Sequence, residues 1–232
     1  MTLKDELDAA VVKIFRDAWT VRDGRVVPAP EDLGLGNDAV NLDGTVLYAD
    51  MSGSTSLVDG YKPQFAAEIY KTYLTCAAKV LKSEGATITA YDGDRVMGVF
   101  IGDSKNSSAA RAALKINYAV HKIVNARLAD QYPKEGYKLA HVVGIDTSVL
   151  MAARIGVRND NDLVFVGRSA NYAAKLTAIE EINTVFITDA VFEKLNDEAK
   201  YGGDPRKLMW KPRQWSQMNS MRIHSSNWTW PI

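Results

Sequence analysis

The chain has 232 residues, of which 47% are hydrophobic and 24% charged, a composition typical of a folded globular protein rather than a disordered one. Lysine plus arginine equals aspartate plus glutamate, 28 of each, so the formal net charge is zero, which argues against a nucleic-acid partner. A single cysteine excludes an internal disulfide, and because the sequence contains neither a signal-peptide pattern nor a bilayer-spanning apolar run, we expect a cytoplasmic protein with no membrane partner.

The first elements are predicted by apolar spacing and by turn residues. Apolar residues recur at helical spacing from Leu3 to Ala18, which predicts an amphipathic helix. The following segment, 23–38, is dense in Gly, Pro and Asp and indicates a connecting arm. The run TVLYAD then predicts a strand from Thr45 to Asp50.

The sequence of the middle of the chain predicts a helix, a hairpin and a second helix. Helical spacing predicts a helix from about Lys62 to Glu84, ended by a glycine. Two strand-like runs, 86–91 and 95–101, flank the Asp-Gly-Asp turn at 92–94, which predicts a hairpin. In the second helix, the predicted buried face consists of Ala109, Ala113, Ile116, Val120 and Ile123.

The last part of the main domain alternates strands and helices. The predicted elements are a strand over 138–146, a strand over 162–166, a helix over 169–180, a strand over 184–189 and a short helix over 190–196. The whole order predicts the α+β class, with a mixed, mainly antiparallel sheet covered by helices.

The chain divides into three predicted regions. We expect residues 1–44 to form the N-terminal helix and arm, residues 45–200 the main domain, and residues 201–232 a tail. The tail holds four of the five tryptophans. Because such large apolar side chains are rarely left in water, we expect it to pack on the domain or on a second copy.

Two acids stand where the sequence favours phosphate chemistry. Asp50 ends the first core strand, and Asp94 closes the hairpin turn. Either alone is also a common turn residue, but a hairpin beside the first strand would bring both to one edge of the sheet. Two carboxylates suit Mg²⁺ or Mn²⁺ carrying a triphosphate. The loop that would offer backbone donors and hydroxyls to the phosphates consists of Met51, Ser52, Gly53, Ser54 and Thr55.

A second pair of polar residues lies on the later helix. Asn171 and Lys175 are four residues apart and therefore share one helix face, after the turn at Gly167. An amide and a cation projecting together could orient a ribose and neutralise a phosphoryl transition state. The alternative is that Asn171 and Lys175 have no functional role and lie on an ordinary solvent-exposed helix face.

Together these motifs resemble the class III nucleotide cyclases, the adenylate and guanylate cyclase homology domain. That family opens with F-A-D-[IM]-x-G-[FS]-T, and this chain has YADMSGST over 48–55. The family's later motifs, G-D in a hairpin, G-I on a strand and G-x-x-x-N-x-x-x-R on a helix, match Gly93-Asp94, Gly144-Ile145, Gly167, Asn171 and Lys175. The resemblance covers about 45–196.

The resemblance implies a homodimer with two active sites at its interface. One chain is expected to supply the metal ligands Asp50, Asp94 and the Met51 carbonyl, and the other to supply Asn171 and Lys175. Two ions of Mg²⁺ or Mn²⁺ are expected in each site, where the ribose 3′-hydroxyl attacks the α-phosphate and expels pyrophosphate.

The departures from the family pattern concern base reading. Purine cyclases usually carry polar residues at the positions of Ala90 and Val164, and neither side chain here can hydrogen-bond a purine. Tyr48 replaces the usual Phe and shares a strand face with Asp50; it is either a pocket residue or a core aromatic. Lys175 replaces the usual Arg and keeps the charge without its bidentate fork.

This pattern resembles the pyrimidine cyclases of bacterial Pycsar anti-phage systems, whose product acts on a separately encoded effector. UTP is favoured over CTP because uridylate cyclases are the more usual members. The alternatives are a cytidylate cyclase, a purine cyclase with an atypical pocket, and a degenerate domain that only binds nucleotide.

Overall fold

Strand β2, Asp38–Ser52, is the centre of the sheet in the computed structural model, which describes residues 1–232. It begins at Asp38 rather than at the predicted Thr45, because Ala39–Leu42 pair with β1 on one side and with β5 on the other. The other strands are β1 (Thr20–Gly24), β3 (Thr87–Asp92), β4 (Arg95–Ile101), β5 (Ala140–Val157), β6 (Asp160–Val166), β7 (Thr184–Thr188), β8 (Tyr201–Gly202), β9 (Lys207–Leu208), β10 (Lys211–Trp215) and β11 (Met221–Ser226).

The predicted helices are present in the predicted order, together with three short helices that were not predicted. The full set is α1 (Leu3–Arg16), α2 (Ser54–Gly60), α3 (Pro63–Ser83), α4 (Lys105–Tyr118), α5 (Asn125–Gln131), α6 (Arg168–Thr177), α7 (Asp189–Glu193) and α8 (Asp197–Lys200). The three that were not predicted are α2, α5 and α8. A π-helical turn, Ala119–Val124, joins α4 to α5. Because a π turn shifts the helical register, the prediction that Ile123 is buried is wrong, and its side chain is 43% exposed. No helix combines the length and the apolar character that crossing a bilayer requires.

One mixed sheet of nine strands carries the fold. Its main order is β10-β11-β7-β5-β2-β4-β3, with β1 paired to β2 and β6 paired to β5. The β1–β2 and β5–β7 pairs are parallel, and the others are antiparallel. The predicted class, α+β with a mixed and mainly antiparallel sheet, is therefore confirmed.

The two faces of β2 have different neighbours because side chains alternate along a strand. Leu47, Ala49 and Met51 are buried in a core formed with α3 and α4. The opposite face carries Tyr48 and Asp50, which are half-buried, and α6 packs against this face.

Helix α6 lies unusually close to the sheet at Gly144 of β5. A Cβ atom at this position would stand 2.1 Å from the Ala173 carbonyl oxygen of α6. No real side chain tolerates such an approach to backbone, so glycine is required here. The close contact places α6 directly against the first half of β5.

The C-terminal segment packs on its own domain, which is one of the two expected arrangements. Strands β10 and β11 extend the sheet beyond β7. The Trp210 indole is buried and donates a hydrogen bond to the Ala199 carbonyl oxygen at 2.7 Å. Further on, the Trp228 carbonyl oxygen accepts a hydrogen bond from the Asn117 amide at 3.0 Å.

Candidate active site

The structure brings Asp50 and Asp94 together at one end of the sheet. Strands β3 and β4 form the predicted hairpin, with Gly93 at a φ of +60° in its tight turn. Asp50 lies opposite Arg95 in the β2–β4 ladder, so Asp94 is the next residue along. The ladder closes with a hydrogen bond from the Met51 N–H to the Asp94 carbonyl oxygen at 3.3 Å. Backbone pairing therefore fixes the two acids as neighbours.

The electrostatics of this pair favour a bound cation. Burial raises the pKa of the Asp50 carboxyl, and the negative charge of Asp94 raises it further. The hydrogen bond from Thr177 and the charge of Arg95 act in the opposite direction but do not offset the rise. The Arg95 guanidinium is engaged by Asp92, to which its Nε donates at 3.1 Å.

The donor set fits a hard divalent ion such as Mg²⁺ or Mn²⁺. No group of three or more His, Cys, Asp and Glu side chains converges anywhere in the protein, so a fully protein-ligated transition-metal site is absent. A site with two carboxylates leaves positions for phosphate oxygens and water, as Mg²⁺ prefers. The Met51 side chain is buried in the core, so this residue can contribute only its backbone.

The loop after Asp50 has the geometry of a backbone donor site. Gly53 adopts a left-handed conformation, with φ +74° and ψ 25°, and directly precedes α2. The first N–H groups of a helix have no carbonyl partner within the helix. The side chains of Ser52 and Ser54 are half-buried and that of Thr55 is exposed. Phosphate oxygens could therefore meet both amides and hydroxyls here.

Tyr48 and Ala90 lie in one row across three strands. Tyr48 of β2 pairs with Met97 of β4, which pairs with Ala90 of β3. Directly paired residues point to the same face of a sheet, and both side chains border the same apolar cluster. Burial raises the pKa of the Tyr48 phenol, and the Arg95 guanidinium lies 5.7 Å from its ring centroid. Tyr48 thus borders this apolar cluster on the same face of β2 as Asp50.

Val164 is not part of this group within one chain. It pairs with Ala153 of β5, whereas Tyr48 pairs with Gly144 of the same strand. These β5 positions are nine residues apart (153 − 144), which corresponds to roughly 30 Å along a strand. Val164 can approach a nucleotide at Asp50 only if it comes from a second chain.

Asn171 and Lys175 also face away from their own metal acids. Both are exposed on α6, and Lys175 forms no ion pair within the chain. Thr177 of the same helix contacts Asp50. At 3.6 residues per turn, Lys175 is about 200° around the helix from Thr177. The pair is thus brought together as predicted, but it is directed outward.

Three further residues shape the site and were missed from the sequence. Arg168 anchors the start of α6, because its Nε donates to the buried Asp146 carboxylate at 3.0 Å. Thr177 anchors the end of α6 at Asp50. Tyr73 of α3 has a buried hydroxyl without a hydrogen-bond partner, and its pKa is raised, first by burial and then by the charges of the two acids. Helical periodicity could have placed Thr177 on the inner face, with Ala170 and Ala173.

Comparisons with known proteins agree with this geometry. The chain is 50% identical over 233 residues to a uridylate cyclase of Xanthomonas perforans and 50% identical over 234 residues to one of Burkholderia cepacia, each match covering 100% of both chains. Among solved structures, that of the guanylyl cyclase Cya2 superposes with a TM-score of 0.66 at 19% identity, covering 80% of this chain and 91% of that one. No protein-family model matches the sequence.

The fold and the paired acids define a class III nucleotide cyclase, as the resemblance in the motifs predicted. Within that class, the chain is 50% identical over its full length to two uridylate cyclases, which identifies its family. The chain belongs to the family of bacterial uridylate cyclases.

The raised pKa of Asp50 predicts that the stability of the metal-free protein depends on pH. An Asp carboxyl ordinarily titrates near 3.8; between that pH and the raised pKa the folded protein binds more protons than the unfolded chain, so stability falls as pH rises. We therefore expect Asp50→Asn to raise the melting temperature in EDTA at pH 7, and the gain to vanish at pH values below 3.8. Added Mn²⁺ should stabilise the wild type and not the variant.

The matched control is Asp59→Asn, which removes an exposed carboxylate from the neighbouring helix α2. It should change neither the melting temperature at pH 7 nor the response to Mn²⁺. A lower melting temperature for Asp50→Asn than for the wild type in EDTA would contradict the electrostatic reading of the site.

Proposed function

We propose that the protein converts UTP to 3′,5′-cyclic UMP and pyrophosphate. The observation that carries the proposal is the pairing of Asp50 and Asp94 at one sheet end, next to the Gly53 loop and on the strand face that also carries Tyr48. The names of the two full-length relatives, both uridylate cyclases, support the choice of base.

The residues of one chain would hold the ions and the triphosphate. Asp50, Asp94 and the Met51 carbonyl would bind Mg²⁺ or Mn²⁺, two per site. When bound, these ions lower the pKa of the ribose 3′-hydroxyl and offset charge on the leaving phosphates. The N–H groups and hydroxyls between Ser52 and Thr55 would bind the phosphates and hold the α-phosphorus in line with the 3′-oxygen.

The residues of the second chain would complete the site. Asn171 would orient the ribose, and Lys175 would neutralise charge on the α-phosphoryl group as the 3′-oxygen bonds to phosphorus and the bond to pyrophosphate breaks. The outward direction of both side chains supports a homodimer with sites at its interface. In such a dimer one chain's acids meet the partner's α6.

The base would be recognised mainly by shape. Ala90 and Val164 offer no hydrogen bond to a base, whereas the Tyr48 phenol beside the metal acids reduces the space for one. A pyrimidine is smaller than a purine and fits beside the phenol. Apolar contact gives about 10–200-fold discrimination, which is sufficient for a preference but weaker than hydrogen-bonded reading.

The first test is an assay with each of ATP, GTP, CTP and UTP plus Mn²⁺, with products resolved by mass spectrometry. Cyclic UMP should be the main product, and Asp50→Ala or Asp94→Ala should abolish it with folding retained. Asn171→Ala should lower kcat by about 10²–10³-fold, the usual cost of losing a transition-state donor.

Other products would change the assignment in defined ways. Cyclic CMP as main product would keep the mechanism and correct the base. Cyclic AMP or cyclic GMP would overturn the interpretation of Ala90 and Val164. No product from a folded dimer with any nucleotide would favour a nucleotide-binding domain without turnover.

A second prediction concerns Tyr48. Because the phenol occupies space that a purine needs, Tyr48→Ala should raise the ratio of kcat/KM for ATP to kcat/KM for UTP by about tenfold, within the range of apolar discrimination. Tyr48→Phe keeps the ring and should change this ratio by less than about threefold. An unchanged ratio in Tyr48→Ala would make this residue a core aromatic only.

We further propose that cyclic UMP serves as a second messenger in antiviral defence, acting on a separately encoded effector. The support is the resemblance to the Pycsar cyclases in the base-reading positions Ala90 and Val164. Bacteria that carry the gene with its neighbouring genes should resist phage, and Asp94→Ala should remove the resistance, measured as plaquing efficiency. Equal plaquing with and without the active enzyme would reject the antiviral role.

A further inference from the structure

Thr177 is the only side chain that donates a hydrogen bond to the Asp50 carboxylate. Its Oγ1 lies 3.1 Å from Asp50 Oδ2 and 2.8 Å from the Ala174 carbonyl oxygen. A hydroxyl has one proton, so these two acceptors compete for it. A hydrogen bond to an ionised acceptor is roughly twice as strong as one between neutral groups. When it donates to Asp50 Oδ2, the Thr177 hydroxyl therefore holds the carboxylate in one direction relative to α6.

The same residue is the last one of α6, whose other end is also anchored. Besides the Arg168–Asp146 ion pair, the Ser169 N–H donates to Ser148 Oγ at 3.0 Å. Gly144 keeps the middle of the helix against β5. The helix is thus held along its whole length, with the Thr177–Asp50 hydrogen bond at its C-terminal end.

The outer face of α6 carries Asn171 and Lys175, which serve the partner's site in the proposed dimer. One short helix therefore contacts a metal acid of its own chain on its inner side and presents the reacting groups of the other site on its outer side. Small displacements at a reacting centre are costly, since about 1 Å can change a rate by 10²-fold.

We propose that Thr177 is a positioning residue that orients Asp50 for the ions of its own site and, through α6, sets Asn171 and Lys175 for the other site. This inference rests on the proposed function, in its first part on ion binding by Asp50 and in its second part on turnover in the dimer. Ion binding at Asp50 can be measured without turnover.

The first experiment measures Mn²⁺ binding to the metal-free wild-type protein, Thr177→Val and Thr177→Ser by the loss of the free-ion electron paramagnetic resonance signal. Valine matches threonine in shape and lacks the hydroxyl, so the Kd for Mn²⁺ should rise by about tenfold, as expected for loss of a charge-assisted hydrogen bond. Serine keeps the hydroxyl and should bind within about threefold of the wild type. Equal affinity in all three proteins would overturn the first part of the proposal.

The second experiment uses defined heterodimers purified through two different affinity tags, each with a single working site. When Thr177→Val and Asn171→Ala are in the same chain and the other chain is wild type, the working site uses the altered Asp50 environment. The Mn²⁺ concentration that gives half-maximal activity should rise by about tenfold, which matches the expected rise in the Kd for Mn²⁺.

When Thr177→Val is in one chain and Asn171→Ala in the other, the working site has intact metal acids and an α6 that has lost only its C-terminal anchor, the hydrogen bond to Asp50. The Mn²⁺ concentration that gives half-maximal activity should stay unchanged. The kcat should fall severalfold below that of a heterodimer of one wild-type chain and one Asn171→Ala chain. An unchanged kcat would overturn the link between the two sites.

The two proposals fail in different ways. A wild-type protein without activity on any nucleotide would reject the cyclase function, and the Mn²⁺ binding comparison would still decide the role of Thr177. Unequal melting temperatures of Thr177→Val and Thr177→Ser in EDTA, with equal Mn²⁺ affinity, would assign the hydroxyl to helix stability and overturn the positioning role.

Discussion

The candidate site depends on two carboxyl groups being held at neighbouring positions at one end of a sheet. Backbone pairing between β2 and β4 sets the positions of Asp50 and Asp94, and no attraction between the two side chains is needed to bring them together. The folded protein carries unfavourable repulsion and desolvation here, which a divalent cation would relieve if it binds as proposed. The Gly53 loop and Thr177 are the polar groups next to the pair.

Because side chains alternate along β2, the residues that form the core and those that face the candidate site lie on opposite faces of the strand. Leu47, Ala49 and Met51 bury against α3 and α4, while the residues between them face the side that bears α6. Residues 47–51 therefore contribute both to the core and to the candidate site. A substitution on one face of β2 can affect the other face only through the backbone, which is held by strand pairing on both sides.

Much of this architecture could be predicted from the sequence, because its signals are local. The Asp-Gly-Asp turn, the helical periodicity of α3 and the acid after an apolar strand each lie within a few residues. What could not be predicted depends on contacts between distant segments. The early start of β2 at Asp38 requires β1 and β5, the exposure of Ile123 requires the π turn, and the Thr177–Asp50 hydrogen bond joins residues far apart in the chain.

The C-terminal segment shows that the motifs common to class III cyclases end before the folded unit does in this protein. The motifs shared with class III cyclases end near Asn196, yet the Asn117 amide, buried inside the domain, finds its acceptor at Trp228. Asn117 in turn hydrogen-bonds His141, and His141 pairs with Met51 at the end of β2. A fragment cut at the limit of the shared motifs would therefore leave buried polar groups without partners next to the end of β2 that carries Asp50. Shortened versions of such a cyclase should be designed from buried hydrogen bonds rather than from the limits of the shared motifs.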